Sequence, residues 1–235
     1  MKNILILGGT GSIGKHVVSE LDNKKNHLII LSLNKSLISN SRRTYYKFDL
    51  SEADNVSNFF KKINNNHGFI EKFVNCAGSI NRKDLLTENS LEFQKIFNIN
   101  FISPMMIMRE LVRKMKAKKK GNFVNISSQM SKIPHPNAGP SYEISKSALV
   151  TLSRHIAYNY AKYNIRSNII SPGTIKSKMQ ISMKTLALNN LKKNIPLKRL
   201  GKPEEIAKLV KFLLSEDSSY ITGADIKISG GSILD

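Results

Sequence analysis

The chain has 235 residues, of which 37 are basic and 17 are acidic, so its formal net charge is +20 at pH 7. An apolar content of 40% is too high for a disordered chain, and the length suits a single α/β domain over residues 1–235. The one cysteine, Cys76, excludes an internal disulfide framework and a multi-cysteine zinc site, and no metal site is expected.

Membrane insertion and secretion are not expected. No apolar run reaches the length of a membrane span, and glycines interrupt the N-terminal run too early for a signal-peptide core. We therefore predict a cytoplasmic protein. The positive charge would suit nucleic acid, an anionic membrane surface or an acidic partner. However, basic residues are not interleaved with aromatic ones, and lysine is frequent throughout the chain, so nucleic-acid binding is not expected.

Predicted strands and helices alternate along the chain. The strand candidates are residues 4–7, 28–33, 45–50, 73–75, 122–126, 167–170 and 225–229. The helix candidates start at residue 15 and then cover 56–63, 91–115 with a break near Pro104, 142–163 and 203–214. This alternation predicts a single-domain α/β fold of the Rossmann type, with a doubly wound parallel sheet of about seven strands and helices on both faces.

A glycine-rich turn follows the first strand and opens the first helix. Gly9, Gly11 and Gly14 fit the pattern G-x-G-x-x-G. Glycines at these positions allow a tight turn and a close approach to a pyrophosphate, which the helix N-terminus then stabilises. The turn predicts a dinucleotide site, and its candidate residues are Gly8, Thr10, Gly11, Ser12, Ile13 and Gly14.

A tyrosine and a lysine four residues apart suggest proton transfer. Tyr142 and Lys146 share one face of a predicted helix. An ammonium beside a phenol favours the phenolate, and lowering the tyrosine pKa from about 10 to about 7 requires roughly 4 kcal/mol. A tyrosine tuned in this way can protonate an alkoxide as a carbonyl is reduced. At this spacing alone, however, such a pair is more often a surface coincidence.

Further short motifs appear in a fixed order along the chain. They comprise N-x-A-G after the fourth predicted strand, a helix asparagine, a serine after the fifth strand, P-G-x-x-x-S, and a glycine pattern near the C-terminus. Their residues are Asn75, Ala77 and Gly78; Asn100; Ser128; Pro172, Gly173 and Ser177; and Ile221, Thr222, Gly223, Gly230 and Gly231. Together with the glycine turn and Y-x-x-x-K, this set resembles the short-chain dehydrogenase/reductase family over nearly the whole chain.

The resemblance implies roles for four catalytic residues. Tyr142 would be the general acid in reduction and the general base in oxidation. Ser128 would bind the substrate carbonyl oxygen and stabilise developing negative charge. Lys146 would lower the Tyr142 pKa and hold the nicotinamide ribose, and Asn100 would hold a water that relays protons. Without the resemblance, Ser128 could be a turn or cap residue and Asn100 a buried amide satisfied by the backbone.

The resemblance also implies a cofactor site built from several strand ends. Besides the glycine turn, Tyr142 and Lys146, its residues would be Asn34, Lys35, Asp49, Leu50, Asn75, Ala77, Gly78, Pro172, Gly173, Ile175 and Ser177. The second predicted strand ends without the aspartate that family members using NAD carry there. Asn34 and Lys35 could instead reach a 2′-phosphate, so NADP is the predicted cofactor and NAD the alternative. Asp49 would lie near the adenine.

Two departures from the family pattern concern the details of the site. Leu7 and Ser12 stand where the family's first loop has threonine and its middle glycine. The interval from Ser128 to Tyr142 is one residue longer than expected. These differences concern the phosphate contacts and the loop over the substrate.

The substrate is less well defined by the sequence. Residues 174–200 would form a lid with both apolar and basic side chains, and a second basic cluster lies within residues 109–120. We expect a small ketone or alcohol substrate, with a 3-oxoacyl thioester on an acyl carrier protein as the best candidate. The resemblance also implies a homotetramer or homodimer. The alternatives are a sugar, steroid-like or small-alcohol dehydrogenase, and a non-catalytic basic protein that binds nucleotides or nucleic acid.

Overall fold

A computed structural model describes residues 1–33, 39–135, 138–177 and 185–234, without the side chains of 185–187. Seven parallel strands form one sheet in the order β3-β2-β1-β4-β5-β6-β7. The strands are β1 (Lys2–Leu7), β2 (Asn26–Ser32), β3 (Arg43–Lys47), β4 (Ile70–Asn75), β5 (Gly121–Ile126), β6 (Ile165–Pro172) and β7 (Asp225–Ile228). The predicted doubly wound α/β fold is therefore confirmed.

Helices cover both faces of this sheet. They are α1 (Gly14–Leu21), α2 (Val56–His67), α3 (Ser90–Phe97), α4 (Ser103–Lys118), α5 (Pro140–Tyr160), α6 (Thr185–Lys193) and α7 (Pro203–Leu213). Leu5 and Leu7 of β1 face a core shared with α2, α4 and α5, whereas Ile4 and Ile6 face a core shared with α1 and α7. Side chains on both faces of β1 are thus buried, which explains its continuous apolar run. No helix in the described parts is long and apolar enough to cross a membrane.

The expected break near Pro104 lies earlier in the chain. Residues Asn98–Ile102 form a π-helical turn between α3 and α4. Pro104 itself occupies the first turn of α4, where the missing N–H group is tolerated. The predicted third strand was also misplaced, because β3 starts at Arg43 and ends at Lys47 rather than at Leu50.

Loops that carry the candidate residues converge at the carboxyl ends of the strands. β1 lies between β2 and β4 in the sheet. The strands β2 and β3 follow on one side of β1, and β4 to β7 follow on the other, so the strand order switches direction at β1. In open parallel sheets, ligands bind in the crevice outside such a switch point. Gly8 follows β1, Ala77 follows β4 and Ser127 follows β5, so all three loops border this crevice.

Two histidines form a half-buried cluster in the outer part of the sheet. The His27 and His67 rings are 5.1 Å apart between centroids. His27 Nε2 lies 2.9 Å from Thr44 Oγ1, and His67 Nε2 lies 2.8 Å from the Tyr46 hydroxyl. Burial lowers the pKa of both histidines, and for His67 the neighbouring His27 contributes to the lowering.

We expect the folded protein to lose stability as the pH falls below about 6.5, the ordinary histidine pKa. The unfolded chain binds protons on these histidines more readily than the folded chain, so the stabilisation is complete above that pH and is lost below it. Urea unfolding from about pH 7.5 to about pH 5 measures the effect. A His27→Gln/His67→Gln variant should show a weaker pH dependence, and a variant of the exposed His155 should match the wild type. Equal slopes for all three proteins would contradict the prediction.

Candidate active site

The glycine turn has the backbone geometry that a bound phosphate group requires. Gly8 adopts a φ of +69°, and its N–H donates to the Leu31 carbonyl at 2.8 Å. A Cβ on Gly14 would lie 2.1 Å from the Gly8 carbonyl oxygen, so only glycine fits there. No side chain in the described parts caps the start of α1, and its first turn has no acidic residue. The Lys15 and His16 N–H groups donate to the Gly11 and Ile13 carbonyls. The helix dipole and the absence of a side-chain cap therefore make this helix start suitable for an anion, such as the diphosphate of a dinucleotide.

Ser128 and Tyr142 are brought together above the end of β5. The Ser128 hydroxyl is close enough to the phenol to lower its pKa, and both side chains line one cavity. Ser128 Oγ also accepts the Met130 N–H at 3.2 Å, so the serine hydroxyl hydrogen is left to point elsewhere. The two hydroxyls predicted to act on one substrate oxygen are thus neighbours in the folded protein.

Lys146 lies beneath this hydroxyl pair and is almost completely buried. Its ammonium donates to the Ile126 carbonyl at 3.0 Å and to the Ala77 carbonyl at 3.4 Å. It lies 5.9 Å from the centre of the Tyr142 ring. A Cβ on Gly78 would be only 3.1 Å from Nζ, which explains the glycine at that position.

Burial, rather than Lys146, dominates the pKa of Tyr142. Burial raises this pKa, and the nearby Ser128 hydroxyl offsets only part of the increase. Burial also lowers the pKa of Lys146 to about 8. The lowering of the Tyr142 pKa by Lys146 therefore stays a prediction for the reacting complex.

Asn100 connects the segment after β4 to the helix that carries Tyr142. Its Oδ1 accepts the Ser79 N–H at 2.8 Å, and its Nδ2 donates to the Ser79 carbonyl and to Ser145 Oγ, both at 2.9 Å. Ser145 Oγ in turn donates to the Tyr142 carbonyl. The side chain is thus satisfied within the protein. In an α-helix, the main-chain carbonyl of Asn100 would accept the N–H of the residue four positions later. That residue is Pro104, which has no N–H to donate.

A cavity of about 300 Å³ unites most of the predicted residues. Its lining comprises the glycine turn, the loops after β4, β5 and β6, and the start of α5. The predicted residues among them are Gly11, Ser12, Ile13, Ala77, Gly78, Ser128, Tyr142, Lys146, Pro172, Gly173 and Ile175. The motifs scattered through the sequence therefore border one crevice.

Several known proteins are similar in sequence to this chain over nearly all of their length. A sequence model of the family described as enoyl-(acyl carrier protein) reductase matches residues 8–232. The 3-oxoacyl-[acyl-carrier-protein] reductase FabG of Buchnera aphidicola subsp. Baizongia pistaciae is 30% identical over 98% of this chain and 96% of that protein. Carbonyl reductase family member 4 of Xenopus laevis is 33% identical over 96% of this chain and 95% of that protein. The chain belongs to the short-chain dehydrogenase/reductase family.

One similarity is confined to part of a relative. Protein FixR of Bradyrhizobium diazoefficiens is 37% identical over 65% of this chain, and the match spans 54% of that protein.

Solved structures of similar proteins contain nicotinamide cofactors. The structure of 4-hydroxyisoleucine dehydrogenase complexed with NADH has a TM-score of 0.92 at 28% identity, over 99% of this chain and 98% of that one. The structure of ElxO with NADP bound has a TM-score of 0.89 at 28% identity, over 98% of each chain. This short-chain dehydrogenase/reductase is an NAD(P)-dependent oxidoreductase that acts on CH–OH groups.

A second cavity, of about 740 Å³, adjoins the glycine turn. It is lined by lysine side chains whose proximity the sequence did not indicate. Gly11 and Ser12 border both cavities. Lys15, Lys176 and Lys202 line the second one, together with Thr10 and Ser177. Ile175 pairs with Gly201 in an isolated parallel bridge, which places Lys176 beside Lys202. No local sequence signal could have indicated that pairing.

Of the remaining predicted residues, Asp49, Leu50 and Asn75 line neither cavity, and two others lie outside the described residues. Asp49 Oδ1 accepts the N–H and the hydroxyl of Ser51, both at 2.8 Å, and Leu50 is buried beside it. Asn75 is fully buried and accepts the Ala77 N–H at 3.1 Å. Asn34 and Lys35 lie outside the described residues, as do residues 178–184 of the predicted lid.

Cys76 lines the same cavity as Tyr142 and Lys146. Burial raises the pKa of its thiol to about 12, and the charge of Lys146 counteracts this only in part. The sulfur is therefore protonated at neutral pH and contributes to the apolar part of the cavity wall.

We predict that Lys146→Met stabilises the free protein near neutral pH and abolishes turnover. Burial of the charged side chain lowers the lysine pKa from 10.5 to about 8. This shift corresponds to a destabilisation of the fold by at most about 3 kcal/mol, which the substitution removes. The loss of two hydrogen bonds offsets part of that gain. Because the folded pKa is the lower one, the gain should shrink as the pH rises from about 8 towards 10.5. Thermal unfolding measures it, with Lys208→Met on the exposed face of α7 as the control. A lower melting temperature than that of the wild type at pH 7 would refute the prediction.

Proposed function

We propose that this enzyme reduces a ketone to a secondary alcohol with NADPH, and that its substrate is a 3-oxoacyl thioester. The observation that carries the proposal is the convergence of Ser128, Tyr142 and the buried Lys146 in one cavity. When bound, the nicotinamide supplies or accepts the hydride, and the protein supplies orientation and the proton.

Ser128 and Tyr142 would act together on the carbonyl oxygen. The Met130 N–H occupies a lone pair of Ser128 Oγ, so the serine hydroxyl can donate to the substrate oxygen and stabilise developing negative charge. Tyr142 would then transfer its phenolic proton to the same oxygen. Its raised pKa keeps the phenol protonated before the reaction, as a general acid requires.

Lys146 and Asn100 would supply the proton that Tyr142 loses. Two of the three N–H donors of Lys146 are engaged by main-chain carbonyls, which leaves a donor for a ribose hydroxyl. A cationic lysine favours the phenolate as it forms. The main-chain carbonyl of Asn100 would hold the relay water, because the side chain is already satisfied.

The cofactor would lie across both cavities. The dipole of α1, whose start has no side-chain cap, and the three lysines of the second cavity favour the diphosphate, and Asp49 would face the adenine. We assign the preference for NADP to Asn34 and Lys35, because no aspartate follows β2 to repel a 2′-phosphate.

The acyl-thioester substrate and the assembly rest on similarity and surface properties. The 3-oxoacyl reductase named above matches nearly the whole chain, and an acyl carrier protein is acidic enough to suit a basic surface such as that of α4. A groove of about 330 Å³ between α4 and α5 supports pairing of copies in a cytoplasmic homotetramer or homodimer. Met105 and Met108 both border this groove, and Met108 is also buried in the core.

A dehydrogenase of a small hydroxylated substrate is the second candidate. The structure of 4-hydroxyisoleucine dehydrogenase superposes closely on this chain, and the same residues would serve oxidation with Tyr142 as the base.

We predict that Tyr142→Phe abolishes oxidation of NADPH in the presence of a short 3-oxoacyl thioester while cofactor binding is retained. The phenyl ring preserves the packing but has no proton to transfer, so kcat should fall by at least about 10²-fold. Absorbance at the nicotinamide band measures turnover, and the change in NADPH fluorescence on addition of the protein measures binding. If the wild type binds NADPH but does not reduce the thioester, the acyl-thioester assignment fails and small alcohols are tested next. Full activity of Tyr142→Phe would remove Tyr142 from the acid role.

We predict that Lys35→Glu weakens NADPH binding more than NADH binding. The introduced carboxylate would repel the 2′-phosphate, which is the chemical difference between the two cofactors. Dissociation constants for both cofactors, compared with those of Lys24→Glu as a surface control, test the assignment. An unchanged ratio of the two constants would exclude Lys35 from this role.

A further inference from the structure

Glu88 bonds to the beginning of the helix that carries Tyr142. Its carboxylate accepts the Ser141 N–H at 3.1 Å and also accepts the Ser141 hydroxyl. The Asn81 side-chain amide donates to the same carboxylate. Glu88 and Ser141 are 53 residues apart in sequence, so this contact connects the segment after β4 with the first turn of α5.

The start of α5 needs such a partner. Gly139 precedes the helix and has no side chain to cap it, and Pro140 at the first position brings no N–H group. The Ser141 N–H is one of the initial helix donors that lack an acceptor within the helix. Ser141 is fully buried, so water does not replace the missing acceptor. Glu88 therefore caps α5 from another part of the chain, and its negative charge suits the helix dipole.

The same segment is attached at a second point. The Gly139 N–H donates to the Asn81 carbonyl at 3.1 Å, and a Cβ on Gly139 would overlap Asn81 Oδ1 at 1.9 Å. Residues 79–88, here termed the β4–α3 segment, thus lie directly against the helix start. Ile80 of this segment lines the cavity that contains Tyr142.

We propose that Glu88 is a positioning residue that holds the first turn of α5, and with it the Tyr142 hydroxyl, in register with Ser128. Tyr142 follows Ser141 directly, so a change in the Ser141 backbone moves the phenol. Proton transfer requires the donor oxygen within hydrogen-bond reach of the reacting oxygen. The proposal rests on the proposed role of Tyr142, and nothing in it requires Glu88 to touch the substrate.

Three variants test the proposal. In Glu88→Ala we expect kcat to fall about ten- to a hundredfold, the loss typical of a misplacement of about 1 Å, with the KM for NADPH unchanged. Glu88→Gln retains the shape and one acceptor, so it should recover part of the loss. Glu92→Ala is the matched control, because the Glu92 carboxylate pairs with Lys83 of the same segment at 2.7 Å, is half exposed and does not bond to Ser141.

A double-mutant cycle separates positioning from general destabilisation. In a Ser141→Ala background the hydroxyl contact is already missing, so Glu88→Ala should reduce kcat by a smaller factor than in the wild type. Equal factors in both backgrounds, or unchanged kcat in Glu88→Ala, would overturn the proposal. A fall in kcat that Glu92→Ala reproduces, or one accompanied by an equal loss of NADPH affinity, would also overturn it.

Hydrogen exchange keeps the test independent of the substrate assignment. The Ser141 amide and its neighbours in residues 139–145 should exchange faster in Glu88→Ala than in the wild type, whereas the β5 amides should not. If no ketone is reduced by the wild type, the proposed function fails, and the capping contact is still decided by this measurement. Unchanged protection at residues 139–145 would refute the contact itself.

Discussion

A buried ammonium group is the constraint to which the strand ends and the reactive helix are fitted. Lys146 on α5 donates to the Ile126 carbonyl at the end of β5 and to the Ala77 carbonyl after β4. A buried charge without such partners would be strongly unfavourable, so both carbonyls must lie beside α5, although burial of the charge itself costs stability. Gly78 is subject to the same constraint, because a side chain there would press on the ammonium. Tyr142 lies one helical turn earlier on the same helix.

The same burial sets the proton affinities of the site before any ligand binds. Desolvation raises the pKa of Tyr142 and lowers that of Lys146, so both side chains are driven towards their neutral forms. An approaching ligand that adds positive charge or fills the cavity with hydrogen-bonding groups would alter this balance. The free enzyme is thus poised with its proton on the phenol, and the chemistry of the tyrosine depends on what is bound beside it.

Patterns that are local in sequence predicted most of the strands and helices and several residues of the candidate site. Contacts between residues that are distant in sequence could not be predicted from these patterns. The apolar run of β1 and the glycines of the following turn indicated both the strand and the backbone approach that Gly8 and Gly14 provide. Four-residue spacing placed Tyr142 and Lys146 on one face, but it contained no information on burial. The Glu88 cap and the pairing of Ile175 with Gly201 join residues whose proximity only the completed fold creates.

The raised pKa of Cys76 limits its reactions with disulfides, peroxides and electrophiles. A sulfur with a pKa of about 12 carries almost no thiolate at physiological pH, and the thiolate is the form that attacks disulfides, peroxides and electrophiles. Cys76 is half-buried and lines the cavity, and its raised pKa should make it react slowly with such reagents. A hydride-transfer site can thus include a thiol in its wall with little thiolate to interfere with the reaction.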